Sequence, residues 1–363
     1  MLVQAITPAD QAAANLTTRA RRLLWRAAKR VPRPLSAPER QFARTAWAYF
    51  ATGADSCTGL SPVISKSNRV TLYALGGTLL AITAANRLGL IETAAATDRI
   101  LRIVHSLAQL PPGQDHLPGL AVDCASLTVY PPAGHLQTGM SEGPTLMRLL
   151  AGLVIVAHHY RQAREPVAGI LARWNLSRMI KNQRSQPTAP TALRPPETEF
   201  AHYMARVAAL LNLPWRAPAA RGATAYLGTA DQFYLETVEF GWHPELLWQA
   251  GSAFLSQRAR FLRDGHLTSL GFDIIDRAPN AGEAPRFARV STKVAFGWHA
   301  IFPTPYAQKL VDAVSPLARP KGWLAGYFTR TGQPNDILSL STNAEVLEAL
   351  HYRAHGPLFP TGT

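Results

Sequence analysis

The 363-residue sequence contains little cysteine, few acidic residues and no long apolar run. Its two cysteines, Cys57 and Cys124, are too few for a disulfide framework or a cysteine zinc site, although one disulfide stays open if they meet in space. The longest apolar run, residues 72–85, is shorter than the ~20 residues that a membrane-spanning helix needs. We therefore expect a globular protein with no transmembrane span, in which this run forms a buried helix.

Familiar cofactor and catalytic motifs are also missing. The sequence has no Walker A loop, no dinucleotide-binding glycine fingerprint after a strand, and no Gly-x-Ser-x-Gly elbow. His158 and His159 are adjacent on a predicted helix, so their side chains point apart and do not form a metal-binding pair. His202 and His243 have no matching ligands in the sequence. The sequence thus predicts neither a cofactor nor a metal.

Basic residues outnumber acidic ones, 37 to 23, and the formal net charge is +14. Much of the excess lies within the first forty residues, where residues 17–30 fit a basic amphipathic helix containing Trp25. Two interpretations stay open: a helix that contacts an anionic surface, or a solvated helix with one edge packed on the body. No aromatic-interleaved motif typical of nucleic-acid binding occurs elsewhere, so we expect no nucleic-acid partner.

Helical periodicity dominates the chain, and strand signals are few. Ser36 or Ala37, with Pro38 in the first turn, marks a helix start. Gly76 and Gly77 lie inside an apolar helix and indicate close helix packing. Residues 126–130 form the clearest β-like patch. The predicted helices cover residues 38–53, 70–89, 94–109, 143–162, 165–182, 197–212, 231–241, 244–263, 291–302, 304–317 and 342–353.

Domain boundaries are weakly marked. Residues 183–196 are rich in Pro, Thr and Arg and are either a linker or a loop inside one domain. We predict a basic N-terminal arm over residues 1–37 and a single domain over residues 38–363. No fixed-period repeat is visible, and the pattern by itself predicts only a mainly helical protein.

Aromatic and amide side chains are concentrated near the C-terminus, in three segments that we expect short amphipathic helices to separate. Indole faces stack on pyranose rings and side-chain amides bind sugar hydroxyls, so these segments predict the mouth of a sugar-binding cleft. Core packing and helix capping are the alternative roles of the same residue types. The predicted substrate-binding residues are Trp298, His299, Trp323, Asn335, Asn343, Tyr73 and Lys293.

These segments also carry a family resemblance. The run STKVAFGWHAIF, followed by GW, GQPN and STNAEVLEALHYRAHGPL, resembles the C-terminal part of a bacterial domain of unknown function that often lies beside exopolysaccharide and cellulose genes. That family is similar to glucoamylase-like glycoside hydrolases. The resemblance covers roughly residues 39–356. It implies an all-α fold, an (α/α) toroid of about twelve paired helices with few short strands in loops, and an oligo- or polysaccharide partner.

The resemblance also bears on location. Members of the family are usually exported, whereas residues 1–18 contain no apolar segment of the kind found in signal peptides. The sequence as written therefore indicates a cytoplasmic protein, or a start site that is wrong.

A glycosidase needs two carboxyl groups flanking the scissile bond, one protonated and one ionised. Asp231, at a predicted helix start, and Asp273, in a loop, are the predicted catalytic pair. Helix capping is the alternative role of Asp231, and Glu239 is interpreted as a structural acid below the cleft. Compared with the resembled family, five positions where acids are expected are neutral, namely Ala74, Thr145, Ala201, Phe272 and Thr329.

Three functions stay open. The missing acids favour a glycoside-hydrolase-like scaffold that binds or acts on a β-glucan-like chain in an exopolysaccharide pathway, with reduced or absent hydrolysis, as in a pseudoenzyme. The first alternative is an active inverting hydrolase or transglycosylase with a relocated acid pair. The second is a basic adaptor that docks on a membrane or nucleic acid through residues 17–33.

Overall fold

The computed structural model describes most of the chain from residue 31 onwards. The described residues are Thr18, Arg22, Arg26, 31–111, 116–130, 142–177, 200–215, 230–242, 244–273 and 289–359. Thr18, Arg22 and Arg26 are helical and exposed, but the rest of the predicted basic helix, and the predicted linker at 183–196, lie outside the described residues. The two interpretations of the basic arm therefore stay predictions.

Eleven α-helices and seven short strands make up the described chain. The helices are α1 Ala37–Thr52, α2 Leu72–Arg87, α3 Thr93–Gln109, α4 Glu142–His159, α5 Arg164–Arg173, α6 Ala201–Leu210, α7 Asp231–Phe240, α8 Pro244–Asp264, α9 Thr292–Ile301, α10 Pro305–Val314 and α11 Leu340–His355. The strands are β1 Arg69–Thr71, β2 Ala121–Asp123, β3 Val129–Tyr130, β4 Arg289–Ser291, β5 Ala318–Arg319, β6 Gly322–Phe328 and β7 Pro334–Leu338.

Six of these helices form a closed ring. Along it α2 packs on α4, α4 on α6, α6 on α7, α7 on α9 and α9 on α11, and α11 returns to α2. Helices α1, α3, α5, α8 and α10 pack outside the ring against their inner neighbours. Outer and inner helices alternate along the chain except between α6 and α7. This arrangement confirms the predicted all-α toroid of paired helices.

The strands lie at one end of the ring. Strands β1, β2 and β3 form an antiparallel sheet, and β4, β5 and β7 all pair with β6 in a second antiparallel sheet. Since β1, β4 and β7 lead directly into α2, α9 and α11, both sheets stand at the N-terminal end of the ring. This end is where the loops meet the inner helices.

The expectation of short helices between all the aromatic segments is wrong between Trp323 and Asn335. There β6 and β7 form an antiparallel pair with a register shift between Leu324 and Gly326. A short apolar run such as GWLAGYF does not distinguish a strand from a buried helix, and the pairing partners that decide it lie elsewhere in the chain. The other gap does contain a helix, α10, as predicted.

The start of α1 shows how local sequence fixes a helix end. The Ser36 side chain accepts a hydrogen bond from the Glu39 amide, and the Glu39 carboxylate accepts one from the Ser36 amide at 2.8 Å. This capping box satisfies two amides that would otherwise lack partners. The Glu39 carboxylate also accepts a hydrogen bond from Arg353 Nε at 2.7 Å, and this ion pair links α1 to α11 of the ring. The predicted helix start is confirmed.

Close packing of α2 on α4 depends on glycine. A Cβ atom at Gly76 would lie 2.3 Å from the backbone oxygen of Arg148, and one at Gly152 would lie 2.9 Å from the oxygen of Gly76. At Gly77 a Cβ atom would make only ordinary contacts, 3.5 Å from Ala344 Cβ. The prediction of close helix packing is therefore confirmed. Of the two predicted glycines, Gly76 is the one at which this packing leaves no space for a side chain.

Two further features bear on the earlier expectations. Cys57 is exposed, Cys124 is buried, and both are free thiols. In the part of the chain that the structure describes, no helix is long and apolar enough to cross a bilayer.

We predict opposite outcomes for two neighbouring substitutions in α2. Gly76→Ala should lower the free energy of unfolding by about 2–3 kcal/mol, because the added methyl group meets backbone rather than a flexible side chain. Gly77→Ala should be neutral or stabilising by up to ~1 kcal/mol, because alanine favours the helix and the methyl group fits. Urea unfolding of both variants measures the difference, and equal effects would contradict the packing argument.

Candidate functional site

Four predicted site residues meet at the centre of the ring. Lys293 Nζ lies 2.5 Å from Asp231 Oδ1 and 3.3 Å from Glu345 Oε1, and Tyr73 Oη lies 3.5 Å from the same Glu345 oxygen. The charge of Asp273 also helps to raise the pKa of Lys293. We call Tyr73, Asp231, Asp273, Lys293 and Glu345 the central cluster. It joins α2, α7, α9 and α11 near the end where the strands lie.

The loop after α8 closes onto this cluster. The Phe272 amide donates to Asp231 Oδ2 at 3.1 Å, and the Phe272 carbonyl oxygen accepts from Lys293 Nζ at 3.2 Å. Ser291 Oγ donates to Asp273 Oδ1 at 3.0 Å. A Cβ atom on Gly271 would lie 2.9 Å from Ser291 Oγ, so glycine permits this close approach. Phe272 and Asp273 are partly exposed, and they connect the buried cluster to the surface.

A second group of charges lies one to two helical turns deeper. Arg148 from α4 forms ion pairs with Glu239 and, at 2.8 Å, with Glu348. Tyr203 Oη donates to Glu239 Oε2 at 2.7 Å, and the Arg148 guanidinium carbon lies 5.1 Å from the centroid of the Tyr73 ring. We call Arg148, Tyr203, Glu239 and Glu348 the deep cluster. Through Tyr73 the two clusters form one continuous polar interior.

Several buried carboxyl groups lie near a few cations in the described part of the interior. The carboxyls are Asp231, Asp273, Glu239, Glu345 and Glu348, and the cations are Lys293, Arg148 and, acting on Asp273, Arg289. Burial raises the pKa values of the three glutamates, against the opposing effect of the nearby cations. Burial by itself would lower the pKa of Lys293, but Asp231 and Glu345 outweigh it and raise that pKa well above its ordinary value. The lysine therefore stays charged, while burial favours the protonated forms of the three glutamates.

Asp273 differs from the other carboxyls. It is the member of the central cluster that is partly exposed, and it accepts the Ser291 hydroxyl. Burial of its carboxyl group, opposed by Lys293, raises its pKa to about 6. Asp231, by contrast, has no exposed surface and receives both the Lys293 ammonium group and the Phe272 amide. The two predicted catalytic residues thus share a neighbour but occupy unlike surroundings.

The remaining predicted site residues do not join this centre. Trp298 is fully buried, packs on Phe254 and donates from Nε1 to Gln257 Oε1 at 2.9 Å. Trp323 is fully buried, and its Nε1 donates to the Phe42 carbonyl oxygen at 3.1 Å. The structure thus gives neither indole an exposed face for stacking, because each ring fills space between packed elements.

Asn343, His299 and Asn335 also lie apart from the cluster. Asn343 is buried, and its Oδ1 accepts from the Trp323 amide at 2.7 Å, which is a structural contact. His299 is partly exposed near the opposite end of α9, where its carbonyl oxygen accepts from Arg353 at 2.9 Å. Asn335 lies on β7 opposite Gly326 and is buried. The structure does not bring these three residues into one cleft with the two indoles, and their substrate-binding roles stay predictions.

Sequence reasoning missed much of the polar interior. The residues that it overlooked are Arg148, Tyr203, Tyr234, Glu345 and Glu348, while Glu239 was recognised only as a structural acid. One signal was present. Glu345 and Glu348 stand three residues apart among the apolar residues Ala344, Val346, Leu347 and Ala349, and Arg148 interrupts an apolar helix. Charges on apolar helix faces need partners, so such residues predict each other.

Metal binding finds no support in the described ranges. No group of three or more His, Cys, Asp or Glu side chains is placed there to hold an ion.

The family follows from comparison with known proteins. A family model described as a protein of unknown function (DUF3131) matches residues 41–226 and 280–356. The chain belongs to this family. The two matched ranges include Tyr73, Lys293 and Glu345 of the central cluster, whereas Asp231 and Asp273 lie between them. No curated protein matches this DUF3131 member.

Solved structures resemble the DUF3131 chain in fold. A candidate glucoamylase from Bacteroides caccae has a TM-score of 0.67 at 14% identity, over 89% of this chain and 94% of its own. An endo-β-1,2-glucanase from Chitinophaga pinensis, in complex with sophorotriose and glucose, has a TM-score of 0.67 at 13% identity, over 90% and 94%. A β-1,2-glucanase from Parabacteroides distasonis has 0.64 at 13%, over 90% and 58%. At these identities the likeness shows the toroid fold alone.

We predict a pH-dependent effect of removing the central cation. Lys293→Met should lower the free energy of unfolding by about 3–5 kcal/mol at pH 8, because Asp231 and Glu345 lose their buried partner. The loss should shrink at pH 5, where the carboxyls of the variant take up protons more readily. Urea unfolding at both pH values tests this, with the exposed Lys309→Met as control. An equal loss at both pH values would argue against an ionic role.

Glu236 gives a second pH prediction. It is buried on α7, and burial, opposed by Arg206, raises its pKa from 4.5 to about 7. The folded state therefore binds a proton that the unfolded state releases, and stability falls as pH rises from about 4.5 to 7. Glu236→Gln should remove this fall and be more stable than the wild type at pH 8 by about 2–3 kcal/mol. Thermal and urea unfolding from pH 4 to 8 measure it.

The exposed Asp336→Asn is the matched control, and it should leave the pH profile unchanged. A wild-type profile that Glu236→Gln does not flatten would refute the assignment.

Proposed function

We propose that this DUF3131 protein binds a glucan-type oligosaccharide or polysaccharide at the N-terminal end of its helix ring, with little or no hydrolysis. The ring resembles enzymes described as glucoamylase candidates and β-1,2-glucanases, and this likeness supports a carbohydrate ligand by analogy of fold. A role within an exopolysaccharide pathway is consistent with such a ligand and is part of the proposal.

The single observation that supports little or no hydrolysis is the ion pairing of Lys293. The ammonium group contacts both Asp231 and Glu345, and all three side chains have no exposed surface. A glycosidase carboxyl must reach the glycosidic oxygen or a water molecule. Carboxylates that are buried and already neutralised by a lysine reach neither.

Distance supports the same conclusion. The Asp231 and Glu345 oxygens both lie on Nζ of Lys293, at 2.5 and 3.3 Å, so they are closer than the ~6.5–9.5 Å of an inverting pair. The lysine also fills the space between them, where an inverting enzyme would hold its attacking water. These two carboxyls therefore fit a structural ion pair better than the pair of an inverting enzyme.

A second candidate function rests on Asp273. Its pKa of about 6 suits a proton donor, and Asp231 nearby would be the base, which requires that the bound substrate separate it from Lys293. A pair of carboxyls in unlike surroundings is what acid–base catalysis requires. This arrangement favours an active hydrolase or transglycosylase that uses Asp231 and Asp273.

One experiment separates the two. The wild type, Asp231→Asn and Asp273→Asn are incubated with β-1,2-, β-1,3- and β-1,4-linked glucan oligosaccharides, including sophorotriose. Calorimetry measures binding and chromatography measures products. We expect the wild type to bind oligosaccharides of at least one linkage without forming product, because the proposed function uses neither Asp231 nor Asp273 as an acid or base. Asp273→Asn should bind the same oligosaccharide within about threefold of the wild type.

Asp336→Asn, an exposed carboxyl-to-amide change, serves as control and should equal the wild type. Turnover by the wild type that both cluster substitutions abolish would establish the hydrolase instead. Neither binding nor turnover with any linkage would overturn the carbohydrate proposal.

A further inference from the structure

The small sheet in front of α2 has two unlike faces. Paired residues point to the same side of an antiparallel sheet, so Val70, Val122 and Val129 share one face, and Val70 and Val122 are fully buried. The opposite face carries Arg69 and Asp123, which are paired, together with Tyr130. The apolar face packs on the core, so the polar face is the one that is left for other contacts.

Tyr130 is held rigidly on this polar face. The Arg69 guanidinium carbon lies 3.7 Å from the centroid of the Tyr130 ring, and Tyr130 Oη donates to Asp123 Oδ2 at 3.3 Å. Despite both contacts Tyr130 stays partly exposed. An aromatic ring fixed at its hydroxyl group and on one side, with surface left exposed, presents a preformed platform.

Polar groups for hydroxyl recognition surround that platform. Asn68 is exposed, and its side-chain amide donates to Asp123 Oδ2 at 2.5 Å. The amides of Ser126 and Ala125 donate to Asp123 Oδ1 at 2.9 and 3.0 Å, and these hydrogen bonds hold the pKa of Asp123 below its ordinary value. Donors on Asn68 and Arg69 thus stand beside a fixed carboxylate acceptor and an aromatic ring.

The sheet is close to the central cluster. Tyr130 pairs with Ala121, and Ala121 pairs with Thr71, the residue that caps α2. Two strand spacings separate Tyr130 from Thr71, which is about 10 Å. Tyr73, two residues further along, belongs to the central cluster. The platform therefore stands at the N-terminal end of the ring, beside the centre.

We propose that Tyr130, Arg69 and Asn68 form a sugar-binding subsite at the rim of the ring, which takes one pyranose unit of an oligosaccharide. The sugar stacks on the exposed part of the Tyr130 ring, and Asn68 and Arg69 donate to its hydroxyls, while the buried Asp123 carboxylate holds Tyr130 and Asn68 in place. A ring flanked by donors fits a pyranose, which has an apolar face and hydroxyl groups at its edge. This subsite rests on the proposed carbohydrate function and deepens it.

The test uses the full-length protein and the same oligosaccharide panel, with calorimetry as readout. Tyr130→Ala should weaken binding of the preferred oligosaccharide by tenfold or more, because the stacking surface is lost. Tyr130→Phe should stay within about threefold of the wild type, because it keeps the ring and loses only the hydroxyl. Asn68→Ala should weaken binding two- to fivefold. Tyr130→Leu, apolar but without a ring plane, replaces the alanine variant if that variant lacks a cooperative unfolding transition.

Trp248→Ala is the control, since it removes a partly exposed aromatic ring from α8, outside the helix ring. It should bind like the wild type. If the wild type binds and Tyr130→Ala binds equally well, the subsite is refuted while the carbohydrate function stands. If Tyr130→Phe loses as much affinity as Tyr130→Ala, the ring is not a stacking platform and the subsite is likewise refuted. If the wild type binds no oligosaccharide of the panel, the proposed function fails, and the subsite fails with it.

Discussion

The ion pairs of Lys293 are the interaction on which the centre of this fold depends. One ammonium group contacts Asp231 at the start of α7 and Glu345 in α11, and its own helix, α9, lies between those two in the ring. Charges placed in a protein interior are costly unless they are paired and hydrogen-bonded. The pairing at Lys293 therefore favours one arrangement of these three neighbouring inner helices. The loop at Phe272 joins the same arrangement through its backbone, so it too is fixed by the lysine.

Arg148 acts in the same way one layer deeper, but the pairing there is incomplete. Its guanidinium group reaches Glu239 on α7 and Glu348 on α11. Burial raises the pKa values of Glu239, Glu345 and Glu348 and so favours their protonated forms. The buried ion pairs permit few alternative arrangements of the inner helices. Because the pKa values of these carboxyls are raised in the folded state, the free energy of unfolding depends on pH.

The ion pairs inside the ring change the interpretation of the neutral residues at the five positions where acids were expected. Neutral residues at Ala74, Thr145, Ala201, Phe272 and Thr329 predicted a centre with few carboxyl groups besides Asp231 and Asp273. The centre instead contains several carboxyls that are neutralised from within. Retention of acids therefore does not imply hydrolysis, because a carboxylate bound to Lys293 is not available as base or nucleophile. The ligand surface that we propose is the end of the ring where Asp273, Phe272 and the two sheets lie.

The sequence by itself determined the helices and the start of α1 ahead of Pro38, since each depends on residues near one another in the chain. It predicted close helix packing at Gly76 and Gly77, but only the structure showed that Gly76 requires it, through the backbone of Arg148. It also marked Asp231, Asp273, Tyr73 and Lys293 as polar residues in unusual positions.

The tertiary structure alone decided which charges meet. Arg148 and Glu348 are 200 residues apart, and no local pattern states that they share an ion pair. It also decided that Trp298 and Trp323 face inward, because the sequence does not distinguish an aromatic residue that fills a core from one that lines a cleft. Local periodicity fixes which side of a helix is apolar, but only closure of the ring decides what that side meets.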